Sequence, residues 1–189
     1  MSDLWLVRHG ETEWSRAGRH TSVTDLDLTA AGAAVARRLA PELAGRPFAQ
    51  VLTSPRLRAR RTAELAELQA EVDDDLAEWA YGEYEGLTTP QIRERVPGWT
   101  VWTHPCPAGE TAAQVGSRLD RVVARARGAD GDTLVVAHGH SLRVLAARWL
   151  GLSPRDGRLF RLDTATVSVL GDDRGVPVVA LWNGLPRRE

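Results

Sequence analysis

The chain of 189 residues contains no lysine, because all 24 of its basic residues are arginine. This absence excludes Schiff-base chemistry, linkage to pyridoxal phosphate and the lysine of the P-loop. The arginine guanidinium remains available, and its fork suits bidentate recognition of phosphate oxygens. The sequence therefore excludes lysine-dependent enzymes and leaves phosphate chemistry open.

Cysteine and long apolar runs are also scarce. Cys106 is the only cysteine, so no disulfide forms within the chain, and we interpret this residue as structural. No apolar run approaches the length of a membrane span. Removal of a signal peptide of ~15–30 residues would delete Arg8 and His9. We therefore expect a cytoplasmic protein with no membrane partner.

Composition and charge are those of an ordinary globular chain, with 43% hydrophobic and 26% charged residues. The length predicts one domain over residues 1–189. The net charge of −1 gives no reason to expect nucleic acid as a partner. No heptad or apolar strip indicates an oligomeric state, which stays open.

Strand and helix patterns alternate along the chain. The predicted strands cover residues 4–8, 51–53, 133–137, 166–170 and 176–181, and the predicted helices cover 29–43, 54–68, 90–96, 110–127 and 141–150. Ser54 is the expected N-cap of the second helix, and residues 98–109 are expected to form a lid-like loop. This alternation predicts an α/β fold with three layers, α/β/α, around a mixed, mostly parallel central sheet.

Two histidine motifs follow predicted strands: Arg8-His9-Gly10-Glu11 and His138-Gly139-His140-Ser141. Strand ends are where the loops of an α/β protein gather ligands, and glycine lets a ligand approach the backbone closely. His9 is a candidate nucleophile on phosphorus, with Arg8 neutralising the phosphoryl oxygens. A pair of histidines set among arginines favours phosphate chemistry.

Further candidates follow from helical spacing and local polarity. Ser54, Arg58 and Thr62 share one helical face, and Arg58 near the helix N-terminus is a candidate phosphate ligand. Glu78 lies among aromatic residues, which favours a general acid, whereas Glu83 and Glu85 are interpreted as surface charges. His138 and His140 are alternatively metal ligands, although no carboxylate or Cys/His cluster lies at ligand spacing.

Together these motifs resemble the histidine phosphatase superfamily, which includes the cofactor-dependent phosphoglycerate mutases. The resemblance rests on residues 8–14, residues 54–63, Glu78-x-x-Tyr81-Gly82, Gly109-Glu110 and His138-Gly139. It implies that His9 becomes a phosphohistidine and that Arg8, Arg58 and His138, the last as an imidazolium, hold the three equatorial oxygens. It also implies that Glu78 protonates the leaving alcohol and then deprotonates water, with no metal or cofactor. Ser15, Thr21 and the Gly139 backbone match substrate-contacting positions.

Departures from the mutases favour hydrolysis. Ser15 stands where mutases carry asparagine, the lysine of the mutase insertion is missing, and residues 99–106 do not resemble that insertion. The closer likeness is to bacterial acid phosphatases and sugar bisphosphatases. We therefore expect a metal-independent phosphomonoesterase whose partner is a small phosphorylated metabolite, such as a sugar phosphate or bisphosphate. The alternatives are a phosphoglycerate mutase, a non-catalytic phospholigand-binding module and a metal hydrolase that uses His138 and His140.

Overall fold

The structure is a computed structural model that describes residues 2–186, so the two ends of the predicted domain 1–189 lie outside it. The strands are β1 (Leu4–Arg8), β2 (Gln50–Thr53), β3 (Glu71–Val72), β4 (Thr133–Ala137), β5 (Val167–Asp173) and β6 (Val176–Gly184). The helices are α1 (Glu13–Arg16), α2 (Ala30–Arg37), α3 (Leu39–Leu43), α4 (Leu57–Leu65), α5 (Thr89–Arg95), α6 (Ala112–Arg127) and α7 (Gly139–Trp149). No helix among the described residues is long and apolar enough to cross a membrane.

The six strands form one sheet in the order β3-β2-β4-β1-β5-β6. Strands β3, β2, β4 and β1 are parallel to one another, β5 is antiparallel to β1, and β6 is antiparallel to β5. The register places Arg8 of β1 beside Ala137 of β4. The two histidine motifs therefore leave the sheet side by side, and the predicted mixed, mostly parallel sheet is confirmed.

Helices cover both faces of the sheet. Side chains of α3 and α4 pack with Val7 and Val136 on one face, and side chains of α6 and α7 pack with Leu6 and Val135 on the other. Alternate residues of a buried strand point to opposite faces, which explains why almost every side chain in β1 and β4 is apolar. The three-layer arrangement agrees with the prediction.

Two helix predictions were wrong in detail. The helix predicted over 29–43 is divided into α2 and α3 at Arg38, although Thr29 caps it by accepting from the Gly32 N–H at 2.9 Å. Ser54 is not an N-cap, because α4 begins only at Leu57. The Leu57 N–H instead donates to Asp25 Oδ1 at 2.7 Å, and a cap supplied from a distant loop is not visible in local sequence.

Residues 98–109 contain no helix or strand, as predicted for a loop, but their interpretation as a lid was wrong. Trp99 is 1% exposed, and Trp102 and Cys106 are buried with it in the core. Trp99 Nε1 donates to the Pro105 carbonyl at 3.3 Å, and the Trp102 ring packs edge-on against Trp79. The apolar side chains of this segment are part of the hydrophobic core, which is not what a lid over the site requires.

Candidate active site

The site forms where β1 and β4 end. The His9 N–H donates to the Ala137 carbonyl at 2.9 Å, which continues the sheet pairing by one residue. The ring centroids of His9 and His138 are 5.1 Å apart. Gly10 follows under α2, where a Cβ atom would lie 2.7 Å from the Gly32 carbonyl oxygen. The motif therefore requires glycine at position 10 for close packing of α2 against the end of β1.

His9 is held as a neutral imidazole with one free nitrogen. Its Nδ1 lies 2.7 Å from the Gly10 carbonyl oxygen. Because a carbonyl only accepts, Nδ1 carries the proton and the lone pair is on Nε2. Burial lowers the pKa of His9 well below its usual 6.5, and the positive charges of Arg58 and Arg8 lower it further. The side chain is 5% exposed, and a neutral imidazole with an unbonded Nε2 is chemically suited to nucleophilic attack.

His138 is also neutral, but both of its nitrogens are engaged. Arg58 Nε donates to His138 Nδ1 at 3.2 Å, so His138 Nε2 carries the proton and donates to Ser54 Oγ at 2.6 Å. Burial lowers the pKa of His138 well below its usual value, and the charge of Arg58 adds to the effect. The imidazolium expected at this position is therefore not the form present in the site without phosphate.

Arg8 lines the site and has a buried donor that faces no acceptor in the described part of the chain. Its Nη1 donates to the Leu162 carbonyl, and within residues 2–186 its buried Nε has no partner. A buried N–H without an acceptor is unfavourable, so this donor is suited to an anion. A Cβ atom on Gly139 would lie 3.3 Å from both Nε and Cζ of Arg8. Glycine at the start of α7 thus lets the guanidinium lie against the helix.

Glu78 is oriented by three backbone N–H groups. Its Oε1 accepts from Trp79 at 2.9 Å and from Ser141 at 2.8 Å, and its Oε2 accepts from His140 at 3.1 Å. Two of these donors belong to the first turn of α7, where unpaired N–H groups favour an acidic side chain. Glu78 is 8% exposed. The helix that begins at the second histidine motif therefore holds the candidate acid.

One cavity of about 180 Å³ joins these groups. It is smaller than the ~300–1,000 Å³ pockets that enclose a drug-sized ligand, so a phosphate and the first atoms of its ester fill it. Its lining residues are Arg8, His9, Ser15, Gly18, Arg19, His20, Thr21, Glu78, Tyr81, Gly139, His140, Arg143 and Leu162. The larger part of any substrate must extend through the open mouth.

A hydrogen bond in the cavity wall links the buried Tyr81 to the partly buried His140. The Tyr81 hydroxyl and His140 Nδ1 are 2.6 Å apart. Burial raises the pKa of Tyr81 well above its usual value and lowers that of His140 well below its usual value. The hydroxyl therefore donates to Nδ1, and His140 carries its own proton on Nε2. His20 packs beside both rings, and burial lowers its pKa to about 4.

The loop that precedes α2 is bound to the site through Arg58 and Glu85. Arg58, 1% exposed, donates through Nη1 to the Thr24 carbonyl and through Nη2 to the Thr21 and Ser22 carbonyls, at 3.1–3.2 Å. Glu85 accepts from the Ser22 N–H at 2.9 Å, from the Ser22 hydroxyl and from the Thr24 N–H at 3.0 Å. The interpretation of Glu85 as a surface charge was wrong, because this long-range contact is invisible in sequence.

Six of the predicted site residues line the cavity: Arg8, His9, Ser15, Thr21, Glu78 and Gly139. Arg58 and His138 are not among the lining residues; Arg58 donates to His138, whose ring lies 5.1 Å from that of His9. The Ser15 hydroxyl donates to the Thr12 carbonyl at 3.0 Å and accepts from the Thr12 N–H, so it serves as a cap of α1. Thr62 fulfils its predicted orientation, because its Oγ1 accepts from the Gly10 N–H at 3.0 Å.

Several lining residues were not predicted as ligands. Tyr81 stands in the motif Glu78-x-x-Tyr81-Gly82, and Arg143 follows the second histidine motif by two residues, so their sequence positions were a usable signal. His140 stands inside that motif but was considered only as an alternative metal ligand. Leu162 carries no such signal, since it reaches the cavity from the segment before β5. Among residues 2–186, no group of three or more His, Cys, Asp or Glu side chains is arranged to hold a metal ion.

The fold and the cavity together are typical of α/β enzymes that act on phosphate groups. The chain belongs to the histidine phosphatase superfamily, branch 1, whose family model matches residues 4–184. This result confirms the resemblance found in the motifs. The chain is thus a histidine phosphatase, a hydrolase of phosphoric monoesters.

Individual relatives agree with this assignment. The chain is 47% identical over 188 residues to an acid phosphatase of Mycobacterium tuberculosis, and this alignment covers 94% of this chain and 90% of that protein. It is 39% identical over 181 residues to the sedoheptulose 1,7-bisphosphatase of Saccharomyces cerevisiae, covering 78% of this chain and 67% of that protein. A solved structure of an open reading frame product from Mycobacterium tuberculosis superposes with a TM-score of 0.93 at 44% identity, covering 98% of this chain and 99% of that chain.

Proposed function

We infer that this phosphatase hydrolyses small phosphate esters without a metal ion, through a phosphohistidine at His9. The observation that carries the proposal is the tautomer of His9. Its Nδ1–H is bonded to the Gly10 carbonyl, and its Nε2 lone pair is free in a cavity that also contains Arg8 and Glu78. Nucleophile, cation and acid are therefore present around one space of phosphate size.

The proposed reaction has two steps. His9 Nε2 attacks phosphorus, the bond between phosphorus and the ester oxygen breaks, and protonated Glu78 gives its proton to that oxygen. Glu78 then takes a proton from water, the water oxygen bonds to phosphorus, the P–N bond breaks, and phosphate leaves. Glu78 Oε2 accepts only one of the three backbone N–H bonds, so we assign the proton transfers to this oxygen.

The phosphoryl oxygens are held by arginine in this proposal. Arg8 contributes its unpartnered Nε. Arg58 has five N–H donors, and four of them are engaged within the described residues, so one remains for the phosphate. His138 is proposed to complete the set by exchanging its bond to Ser54 for a phosphoryl oxygen. Fixed donors of this kind stabilise the charge that develops in the transition state.

Sugar phosphates and bisphosphates are the proposed substrates, with a second phosphate accommodated at the mouth. Arg19 and Arg143 line the cavity in addition to Arg8. Arg143 donates from Nε and Nη2 to the Gly157 and Arg158 carbonyls, and its positive charge is proposed to attract the second phosphate. The name of the sedoheptulose bisphosphatase relative agrees with a doubly phosphorylated substrate.

The test measures phosphate released from sugar monophosphates, sugar bisphosphates and phosphoglycerates, with and without EDTA. We expect release that EDTA does not change, and a phosphoryl group trapped on the peptide that contains His9. His9→Ala should lose about 10⁴-fold or more in kcat/KM, while His104→Ala, outside the cavity, serves as the matched control. Activity in His9→Ala, or loss on chelation, would contradict the proposal. Conversion of 3-phosphoglycerate to 2-phosphoglycerate without phosphate release would identify a mutase instead.

A further inference from the structure

The segment that carries Glu78 has no regular secondary structure of its own. Residues 77–81 lie between two short 3₁₀ turns, at 74–76 and 82–84, and belong to neither a helix nor a strand. The three N–H bonds to the Glu78 carboxylate fix its oxygens. They do not fix the backbone on either side of the residue. Other groups must therefore hold that backbone in place.

Glu110 holds the backbone that follows Glu78. Its N–H donates to the Ala80 carbonyl at 2.8 Å, and its Oε2 accepts from the Ala80 N–H at 2.9 Å. Its carbonyl accepts from Trp79 Nε1 at 2.8 Å. Glu110 therefore contacts both residues after the acid, through main chain and side chain together. The close fit also explains Gly109, where a Cβ atom would lie 2.3 Å from the Ala80 carbonyl oxygen.

Arg118 of α6 connects Glu110 to the backbone before Glu78. Its Nε and Nη2 donate to the two carboxylate oxygens of Glu110 at 2.8 and 3.0 Å. Its Nη1 donates to the Asp75 and Ala77 carbonyls at 2.6 and 2.8 Å. The two side chains are only 11% and 24% exposed, so solvent screens this bidentate pair less than an ordinary surface ion pair.

We propose that Glu110 and Arg118 are positioning residues for Glu78, a role that rests on the proposed function of Glu78 as general acid. The pair forms hydrogen bonds with the backbone of residues 75, 77 and 80, on both sides of Glu78, and so connects this backbone to helix α6. Neither side chain lines the cavity, so they act through Glu78. A displacement of about 1 Å at a catalytic group costs on the order of 10²-fold in rate.

Leaving-group dependence provides the test. An alkyl phosphate such as glycerol 2-phosphate needs its alcohol protonated as the P–O bond breaks, whereas 2,4-dinitrophenyl phosphate releases a stable phenolate. The parameter to compare is kcat/KM, because it includes the formation of phosphohistidine and excludes its hydrolysis. We expect Arg118→Gln and Glu110→Gln to lose about 10- to 100-fold on the alkyl ester and less than about 3-fold on the dinitrophenyl ester.

The matched control is Asp120→Asn, which lies on α6 like Arg118. It breaks the bidentate ion pair of Asp120 with Arg148 of α7, away from residues 75–80. Asp120→Asn should leave kcat/KM unchanged on both esters. Thermal unfolding of each variant confirms that it is folded. Equal losses on both esters in the Arg118 and Glu110 variants would overturn the positioning role, because a general structural defect does not depend on the leaving group.

A Glu78→Gln variant distinguishes failure of the positioning role from failure of the proposed role of Glu78 as general acid. If Glu78→Gln loses activity selectively on the alkyl ester and the Arg118 and Glu110 variants do not, only the positioning role fails. If Glu78→Gln itself lowers kcat/KM equally on both esters, the assignment of Glu78 as general acid fails, and the positioning role fails with it. Selective losses in all three variants support both.

Discussion

Gly139 separates the main chain of α7 from the guanidinium of Arg8. A methyl group at this position would lie 3.3 Å from Arg8 Nε and Cζ, so the guanidinium, which is also bonded to Leu162, must shift by a few tenths of an ångström. We expect Gly139→Ala to lower kcat/KM by about 3- to 10-fold, since small displacements of a positioned group reduce the rate. The melting temperature should change little, because alanine is the better helix former.

Steady-state kinetics and thermal unfolding check this prediction. Gly128→Ala is the control, because a Cβ atom there makes an ordinary contact with the Ala124 carbonyl at the end of α6, far from the cavity. An unchanged kcat/KM in Gly139→Ala would mean that the position of Arg8 does not limit the reaction.

For single residues, the sequence predicted which side chains line the site but not their protonation states. The motifs identified Arg8, His9 and Glu78 as lining one site, and the cavity contains all three. The neutral state of His138 depends on two partners, Arg58 and Ser54, which reach it from another element. Burial and the direction of a hydrogen bond determine protonation, and neither can be read from the chain alone.

Among the elements, the loop over residues 18–25 depends most on one carboxylate. Burial acts to raise the pKa of Glu85, but hydrogen bonds from Ser22 and Thr24 outweigh it and lower the pKa. In Glu85→Gln, one oxygen is replaced by an NH₂ group that faces N–H donors. Loss of such bonds costs about 1–3 kcal/mol. We expect KM to rise about 10-fold at nearly constant kcat, because Thr21 and the carbonyls held by Arg58 belong to this loop.

Hydrogen exchange over residues 18–25 gives an independent measurement, since a loosened loop exchanges faster. Glu83→Gln is the matched control, because Glu83 is exposed and stands two residues away. If Glu85→Gln exchanges at the normal rate and keeps its KM, then Arg58 alone is sufficient to hold the loop.

The boundaries of helices and strands were predicted where local sequence determines them, and were missed where a distant contact does. Strands β1 and β4 and the cap of α2 follow from apolar runs and from Thr29, all of which are local signals. The start of α4 was predicted at Ser54, because serine before proline is a local cap signal, whereas the structure uses Asp25 from a distant loop. The tryptophans of residues 98–109 were assigned to a lid because sequence shows aromatic residues but not what they pack against.

For the whole molecule, the layer order follows from the alternation of strands and helices, and β5 introduces the antiparallel direction, because it pairs antiparallel with both β1 and β6. This order brings all four histidines of the site into one poorly solvated region. The pKa values of His9, His138 and His140 are lowered well below 6.5, first by burial, and that of His20 is lowered to about 4. The same burial that lowers the pKa of His9 therefore makes the stability of the fold sensitive to acid.

The sign follows from proton binding. Below pH 6.5 the unfolded chain protonates these histidines while the folded chain does not, so the free energy of unfolding falls by about 1.4 kcal/mol per pH unit for each such histidine. We expect the melting temperature, measured in phosphate-free buffer, to fall steadily from pH 7 to pH 4.5. Because the pKa of His9 is lowered well below 6.5, we do not expect protonation of His9 to lower kcat/KM just below pH 6.5. His20→Phe removes one titrating group and should reduce the slope. A melting temperature that is constant or rises over this range would mean that the histidines are accessible to protons in the folded chain.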